Sequence, residues 1–386
     1  MARIVLAGYL VRNPLGGYAW QAAQYLLGLR QLGHDAWFYE DTGHYDQAYD
    51  PESNHFGPEY AFGLRATAAF LERLGLGERW VFVDVGRGEE HGPGAGRAAD
   101  LLRSCDLLLN VAGVNRIPPD RRGGKPAAYV DIDPGVTQIR AASGDALLRA
   151  ILDEHEHHFT VGENIGTERS PLPTAGYRWR STRSPIVVEQ WTGSGPPGDR
   201  YTTVGTWDSR DRELIYEGVS YSWRKRLEWL KIASLPSRTG ARFEITADVD
   251  SAPGDRQTFE GQGWRFADPR VVSGDPWTYR DYVRSSRGEV TVAKDLNVRL
   301  RSGWFSDRDA CYLAAGRPVI AQDTAFGDVL PLGPGLHAFR TLDEAVAALD
   351  EIESDLPRAA AHATEVARAH LAADRVLGAL LKTVGV

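Results

Sequence analysis

The amino-acid sequence predicts an α/β protein of two doubly wound domains in tandem, and three observations carry that expectation. At 386 residues the chain exceeds the ~250–300 at which a single hydrophobic core stops growing. Short apolar runs alternate with helix-periodic stretches in both halves, the pattern of strands joined by crossover helices. Between Thr167 and Arg200 the chain turns rich in Pro, Gly, Ser and Arg, which separates the halves. The expected division is 1–185, 186–365 and a closing helix over 366–386 packing back on the first domain.

Ile4 to Gly8 reads as a buried strand, followed by the loop Asn13-Pro14-Leu15-Gly16-Gly17 and a helix from about Ala19 to Leu32, with Gly33 as its stop. Ala36 to Glu40 completes a βαβ unit, and Trp80–Val83, Leu107–Val111 and Ala128–Ile132 read as further strands. In the second half, strands are expected at Tyr201–Gly205, Arg242–Ala247, Glu289–Ala293 and Pro318–Ala321. Helices are expected near Trp223–Ser234, Trp277–Ser285, Thr341–Ser354 and, as one continuous helix, Pro357–Lys382. No fixed-period repeat is present.

Hydrophobic residues make up 42% and charged residues 25% of the chain, an ordinary globular balance. The net charge of −8 argues against a nucleic-acid partner, whose phosphates call for a concentration of positive charge. Only Cys105 and Cys311 are present, so neither a disulfide framework nor a cysteine zinc site is supported, and a reducing compartment is expected. The first residues lack the long apolar core and cleavage site of a secretion signal, and no apolar run approaches the ~18–20 residues of a membrane span. A cytoplasmic protein without a transmembrane segment is the expectation.

The most informative stretch runs from Arg299 to Val319. Ser306 suits a helix N-cap, and Asp309 stands three residues on, where a capping-box acid belongs. The amides of that helix start would face a loop after a strand, where α/β domains bind a diphosphate, with Arg301, Ser302, Gly303 and Arg308 to assist. Plain capping with surface arginines is the competing account.

Gly303-Trp304-Phe305-Ser306-x-x-Asp309, followed by Gly316-Arg317-Pro318-Val319, resembles the donor-site signature of nucleotide-sugar glycosyltransferases with the GT-B fold. Two departures are visible: the acid is Asp rather than Glu, and it lies two residues farther from Gly316 than the usual spacing, which puts Cys311 at the acid's place. Pro14 to Gly17, Asp131-Ile132-Asp133-Pro134, Gly162 to Gly166, Tyr221 to Arg226 and Val292-Ala293-Lys294 are similar to recurring pieces of a largely uncharacterised bacterial group of these enzymes. The resemblance implies an α/β GT-B fold: two facing Rossmann-like domains with a cleft between them and C-terminal helices. It implies transfer of a hexosyl or deoxysugar unit from a nucleoside diphosphate sugar, as co-substrate, to a small-molecule, lipid or glycan acceptor. No bound cofactor and no metal are implied. A sugar-nucleotide epimerase of the same fold and a non-catalytic two-lobed binding protein are the alternatives.

Donor contacts are expected from Lys225, Arg226, Lys294, Arg301, Ser302, Gly303, Trp304, Phe305, Ser306 and Asp309, with Asp323 and Thr324 where such enzymes hold sugar hydroxyls. Gly16 and Gly17 allow backbone to approach a ligand across the cleft. That loop carries Tyr18 and no histidine, so a general base is sought among carboxylates at strand ends, where Asp131 and Glu163 are the candidates. Asp133, two residues after Asp131, reads rather as a turn-forming acid. The cluster His155-Glu156-His157-His158 does not present one face to a metal.

Overall fold

The computed structural model describes residues 1–43, 45–193, 195–209 and 213–386. Two sheets form the two lobes. Across the first, the strands lie in the order Trp179–Ser181, His157–Thr160, Ala127–Asp131, Leu107–Val111, Arg3–Ala7, Asp35–Asp41, Trp80–Asp84 and Glu89–His91. All neighbours are parallel except the last pair. The second sheet is fully parallel, in the order Trp264–Ala267, Arg242–Thr246, Arg200–Val204, Gly288–Thr291, Val319–Gln322 and Leu336–Phe339. Parallel strands are covered on both faces, which is why Ile4–Ala7 is a continuous apolar run and Leu107–Val111, apolar but for Asn110, is buried throughout.

Each sheet reverses its strand order once. In the first lobe the reversal lies between Arg3–Ala7 and Leu107–Val111, and in the second between Arg200–Val204 and Gly288–Thr291. At the carboxyl ends of such strand pairs the loops diverge and leave a crevice.

The lobes meet along a dense seam. The first helix, Gly16–Gln31, packs on the helix Pro276–Ser285, and Trp20 donates its Nε1 hydrogen bond to the Pro276 carbonyl at 2.7 Å. Trp277 lies edge-on to Trp20 at 5.3 Å, with Arg73 stacked over its ring at 3.8 Å. Farther along, Val136, Leu172 and Trp179 of the first lobe share a cluster with Tyr221, Leu296 and Leu300 of the second.

The expected single helix at the C-terminus is interrupted. It runs Leu356–Val366, passes through a wider turn at Ala367–Leu371, becomes extended at Ala372 and resumes as Ala373–Val384. The interruption has a cause in the first lobe: Ile186 donates to the Leu371 carbonyl and accepts from the Ala373 amide, both at 2.8 Å. The final helix then packs on Gly16–Gln31, where a Cβ on Gly28 would stand 2.6 Å from that of Ala373. No helix among the described residues is long and apolar enough to cross a membrane.

The first helix starts at Gly16, three residues earlier than its apolar periodicity suggested, because Gly16 serves the seam: a Cβ there would lie 2.4 Å from the Tyr279 Cβ. A Cβ on Gly17 meets nothing within 4 Å. Gly16→Ala should therefore cost about 1–3 kcal/mol by overpacking, whereas Gly17→Ala should be neutral or stabilise by up to ~1 kcal/mol through helix propensity. Thermal unfolding of the two variants checks this, and equal midpoints would contradict it.

Candidate functional site

The candidate site is built where the second sheet reverses. The helix Asp307–Ala314 starts there, capped as its sequence suggests: Ser306 Oγ accepts from the Arg308 amide at 3.2 Å, and Asp309 reaches back to the Ser306 amide at 3.2 Å. Arg308 turns inward from this helix start. It pairs with the fully buried Glu289, donates to the Val204 carbonyl and Thr291 Oγ1, both at 2.7 Å, and to Asp309 at 2.8 Å. The guanidinium thus ties both central strands of the reversal to the helix that follows them. Burial raises the carboxyl of Glu289 even with Arg308 beside it.

Lys225 opens the helix Lys225–Lys231 across from this network. A Cβ built on Gly205, at the end of the strand Arg200–Val204, would lie 3.8 Å from an Arg308 nitrogen and 3.9 Å from Lys225 Nζ, so the two cations flank one glycine. Lys225 is only 9% exposed, and its described contact is the face of Trp304, 5.6 Å from the ring centroid. Among the described residues no carboxylate pairs with it. Burial, reinforced by repulsion from Arg308 and Lys294, pulls its ammonium down to about 7. Asp309 and Glu289 oppose that shift from a distance without pairing with the ammonium, so Lys225 can meet an anion without giving up an ion pair.

Lys294 stands beside Lys225, stacks on Trp223 at 3.8 Å and reaches across the seam to Asp133 Oδ1 at 2.6 Å. Asp133 belongs to the first lobe, in the loop after the strand Ala127–Asp131. Asp131 itself points into the protein. Its carboxylate accepts from the Asp133 amide, Thr137, Gln138 and Thr160 at 2.7–3.1 Å and is 1% exposed. Burial raises its pKa against those hydrogen bonds. The carboxylate that faces the seam is therefore that of Asp133, on which the sequence placed less weight, and Asp131 holds the loop that presents it.

Glu163 is also committed. Arg183 grips it with two hydrogen bonds, at 2.7 and 3.2 Å, and continues to the carbonyls of Val329 and His370, so this pair fastens the lobes together. Tyr9 and Tyr18 of the first lobe lie against each other, tilted, with centroids 4.7 Å apart, and line one small cavity with Gln21, whose amide reaches Asp307 at 3.3 Å.

No protein-family model and no curated protein matches the chain. Solved structures do, over essentially the whole length. An alpha-glucosyltransferase in complex with UDP and a 13-mer DNA superposes with a TM-score of 0.62 at 11% identity, covering 100% of both chains. HepE of Anabaena in complex with UDP and glucose gives 0.57 at 12% identity, again covering 100% of both. A sucrose-phosphate synthase from Thermosynechococcus elongatus gives 0.53 at 13% identity, covering 100% of this chain and 99% of that one.

The fold is GT-B. The expectation that a nucleic-acid partner is excluded needs correction, because a protein of this same GT-B architecture is found in complex with DNA. Net charge averages over the whole surface, whereas a partner is met by one face of it.

Within the GT-B frame, the remaining expected donor residues fall into different roles. Ser302 is fully buried and bonds Asn297 at 2.8 Å, while Gly303 has a φ of +74° and lies so near the first lobe that a Cβ would stand 2.9 Å from Asn164. Trp304 bridges to Gly162, and Thr324 bonds the Trp304 carbonyl at 2.6 Å. Phe305 packs on Phe326, and Asp323 caps the turn at Ala325 at 2.7 Å. Arg301 is exposed and pairs with Asp328 at 3.4 Å. Arg226 makes a two-pronged pair with Asp255 at 2.6 Å, and Asp309 spends both oxygens on the cap and on Arg308. His155 and His158 bond to helix carbonyls at 2.7 and 2.9 Å, and no metal-binding group of acids, histidines or cysteines occurs among the described residues. Sequence reasoning missed the roles of Glu289, whose one signal was an acid directly before the strand-forming run Val290-Thr291-Val292, and of Asn164, which bonds the carbonyls of Arg301 and Ala325 across the seam.

If Asp131 organises this loop, Asp131→Ala leaves three buried side-chain donors without their acceptor and should destabilise the protein by about 2–4 kcal/mol. Chemical denaturation measures it, and a loss below ~0.5 kcal/mol, the range of a surface substitution, would contradict the assignment.

Proposed function

We propose that this chain is a glycosyltransferase that binds a nucleoside diphosphate sugar at the reversal of the second sheet and transfers its sugar to an acceptor hydroxyl presented from the first lobe. The observation that carries the reading is Lys225: a buried ammonium, with Arg308 and Lys294 nearby, that has no carboxylate partner among the described residues. A diphosphate supplies the missing negative charge. The GT-B fold supports this, and the similar structures in complex with UDP make UDP the first nucleotide to test.

In this reading the amides at the start of Asp307–Ala314 and the ammonium of Lys225 meet the diphosphate, and Trp304 lines its approach. As the bond from the sugar's anomeric carbon to the phosphate oxygen breaks, the negative charge developing on the diphosphate is stabilised by these groups. The acceptor oxygen forms the new bond to that carbon, and its proton passes to Asp133, the carboxylate facing the seam. Asp131, Glu163, Gly303 and Asp309 act by positioning: each is occupied with holding a loop, a lobe contact or a helix start.

Thermal unfolding with UDP, GDP, TDP and ADP tests the donor site, because a ligand at ~100 times its dissociation constant stabilises the fold by roughly 2.7 kcal/mol. At least one should raise the midpoint of the parent. Lys225→Met should remove most of that shift, whereas Arg301→Ala, exposed and paired with Asp328, should keep it within about threefold in affinity. If none of these nucleotides stabilises the parent, or Lys225→Met binds as the parent does, the donor reading is wrong.

A further inference from the structure

Lys294 is the one cation of the cluster already engaged by a carboxylate of the opposite lobe. Its Nζ lies 2.6 Å from Asp133 Oδ1, with side-chain exposures of 19% and 37%. Lys294 follows the strand Gly288–Thr291, while Lys225 flanks Gly205 at the end of the paired strand Arg200–Val204, so both lysines stand at the carboxyl side of the same sheet reversal, where a diphosphate held by one meets the other. Trp223 supports the Lys294 ammonium from one side at 3.8 Å, and the Lys294 backbone is anchored just before the short helix Asp295–Arg299. Only the side chain needs to move.

Resting on the nucleotide-sugar reading, we propose that Lys294 is a shared ligand, held by Asp133 in the free protein and passed to the donor's diphosphate on binding. The exchange has two consequences. It makes Asp133 a competitor of the donor, since each new contact to phosphate is made against the loss of this ion pair. It also releases Asp133 to accept a hydrogen bond from an acceptor hydroxyl, beside Tyr9 and Tyr18, only after the donor has arrived. The acceptor-side carboxylate is thereby masked until there is a sugar to transfer, and binding is ordered, donor first.

The Asp131 hydrogen bonds keep the exchange local. They hold the Asp133 amide and the residues that follow it, so the Asp133 carboxylate remains at the seam when Lys294 leaves.

Isothermal titration of UDP, with inorganic pyrophosphate as a base-independent probe, tests the exchange on the full chain. Asp133→Asn should bind both probes more tightly than the parent, by about threefold or more, and Asp133→Ser should behave alike. Lys294→Met should weaken binding by about tenfold, and the double variant should bind as Lys294→Met does. Asp199→Asn, which removes an equal charge at a remote surface site, should change neither affinity. Unchanged or weaker binding by Asp133→Asn overturns the exchange alone when the parent binds through Lys225. Tighter binding by Lys294→Met also overturns it, by showing that the pair only latches the lobes. A parent that binds neither probe overturns the donor reading and the exchange with it.

Discussion

The buried ion pair between Arg308 and Glu289 is the constraint on which the site depends. Removing two charges from water is costly, and further hydrogen bonds from Thr203 to Glu289 Oε1 and from Arg308 to Val204, Thr291 and Asp309 offset part of it, leaving Glu289 Oε2 buried without a partner. The pair joins the strands Arg200–Val204 and Gly288–Thr291 to the helix Asp307–Ala314 at the place where the sheet reverses. It also fixes a positive charge beside Gly205, which adds to the strain that burial places on Lys225. Arg308 is fully spent on protein partners, so its role is to set the field in which Lys225 acts.

Lys225 carries the functional consequence. The unfolded chain holds its lysine proton up to about pH 10.4, whereas the folded protein lets go near 7. The unfolded state therefore binds more protons between these values, and this group's contribution to stability rises with pH across that window. Below pH 7 the folded protein bears the full cost of a desolvated charge. An anion in the crevice relieves that cost, which couples binding to folding stability at one residue. The lobes approach closely at the seam, with Gly303 against Asn164 and Gly16 against Tyr279.

Much of this arrangement was legible in the residues. The apolar runs announced parallel strands, Ser306 with Asp309 announced a helix start, and Lys225 stood at the beginning of a helix after the first strand of the second lobe. What escaped were choices that depend on partners distant in sequence. Two residues apart, Asp131 and Asp133 would share a face of a continued strand, but the strand ends at Asp131, which Thr137, Gln138 and Thr160 hold inside while Asp133 meets Lys294. Arg226 is drawn away from the crevice by Asp255, Glu163 by Arg183, and the terminal helix is broken because Ile186 pairs across Ala372. No local pattern encodes those encounters. The charge argument against nucleic acid failed for a related reason, since composition carries no geometry.

Whether the buried Lys225 amine gains its charge against a bound diphosphate is tested by counting protons on binding. Titrating UDP at pH 8 in two buffers of different ionisation enthalpy yields that count from the difference in apparent heats. The account predicts uptake approaching about one proton by the parent, because a group with a free pKa near 7 is largely neutral at pH 8 and becomes charged against phosphate. In Lys225→Met the uptake should disappear. Binding by the parent with no proton uptake, or with the same uptake in the variant, would contradict it.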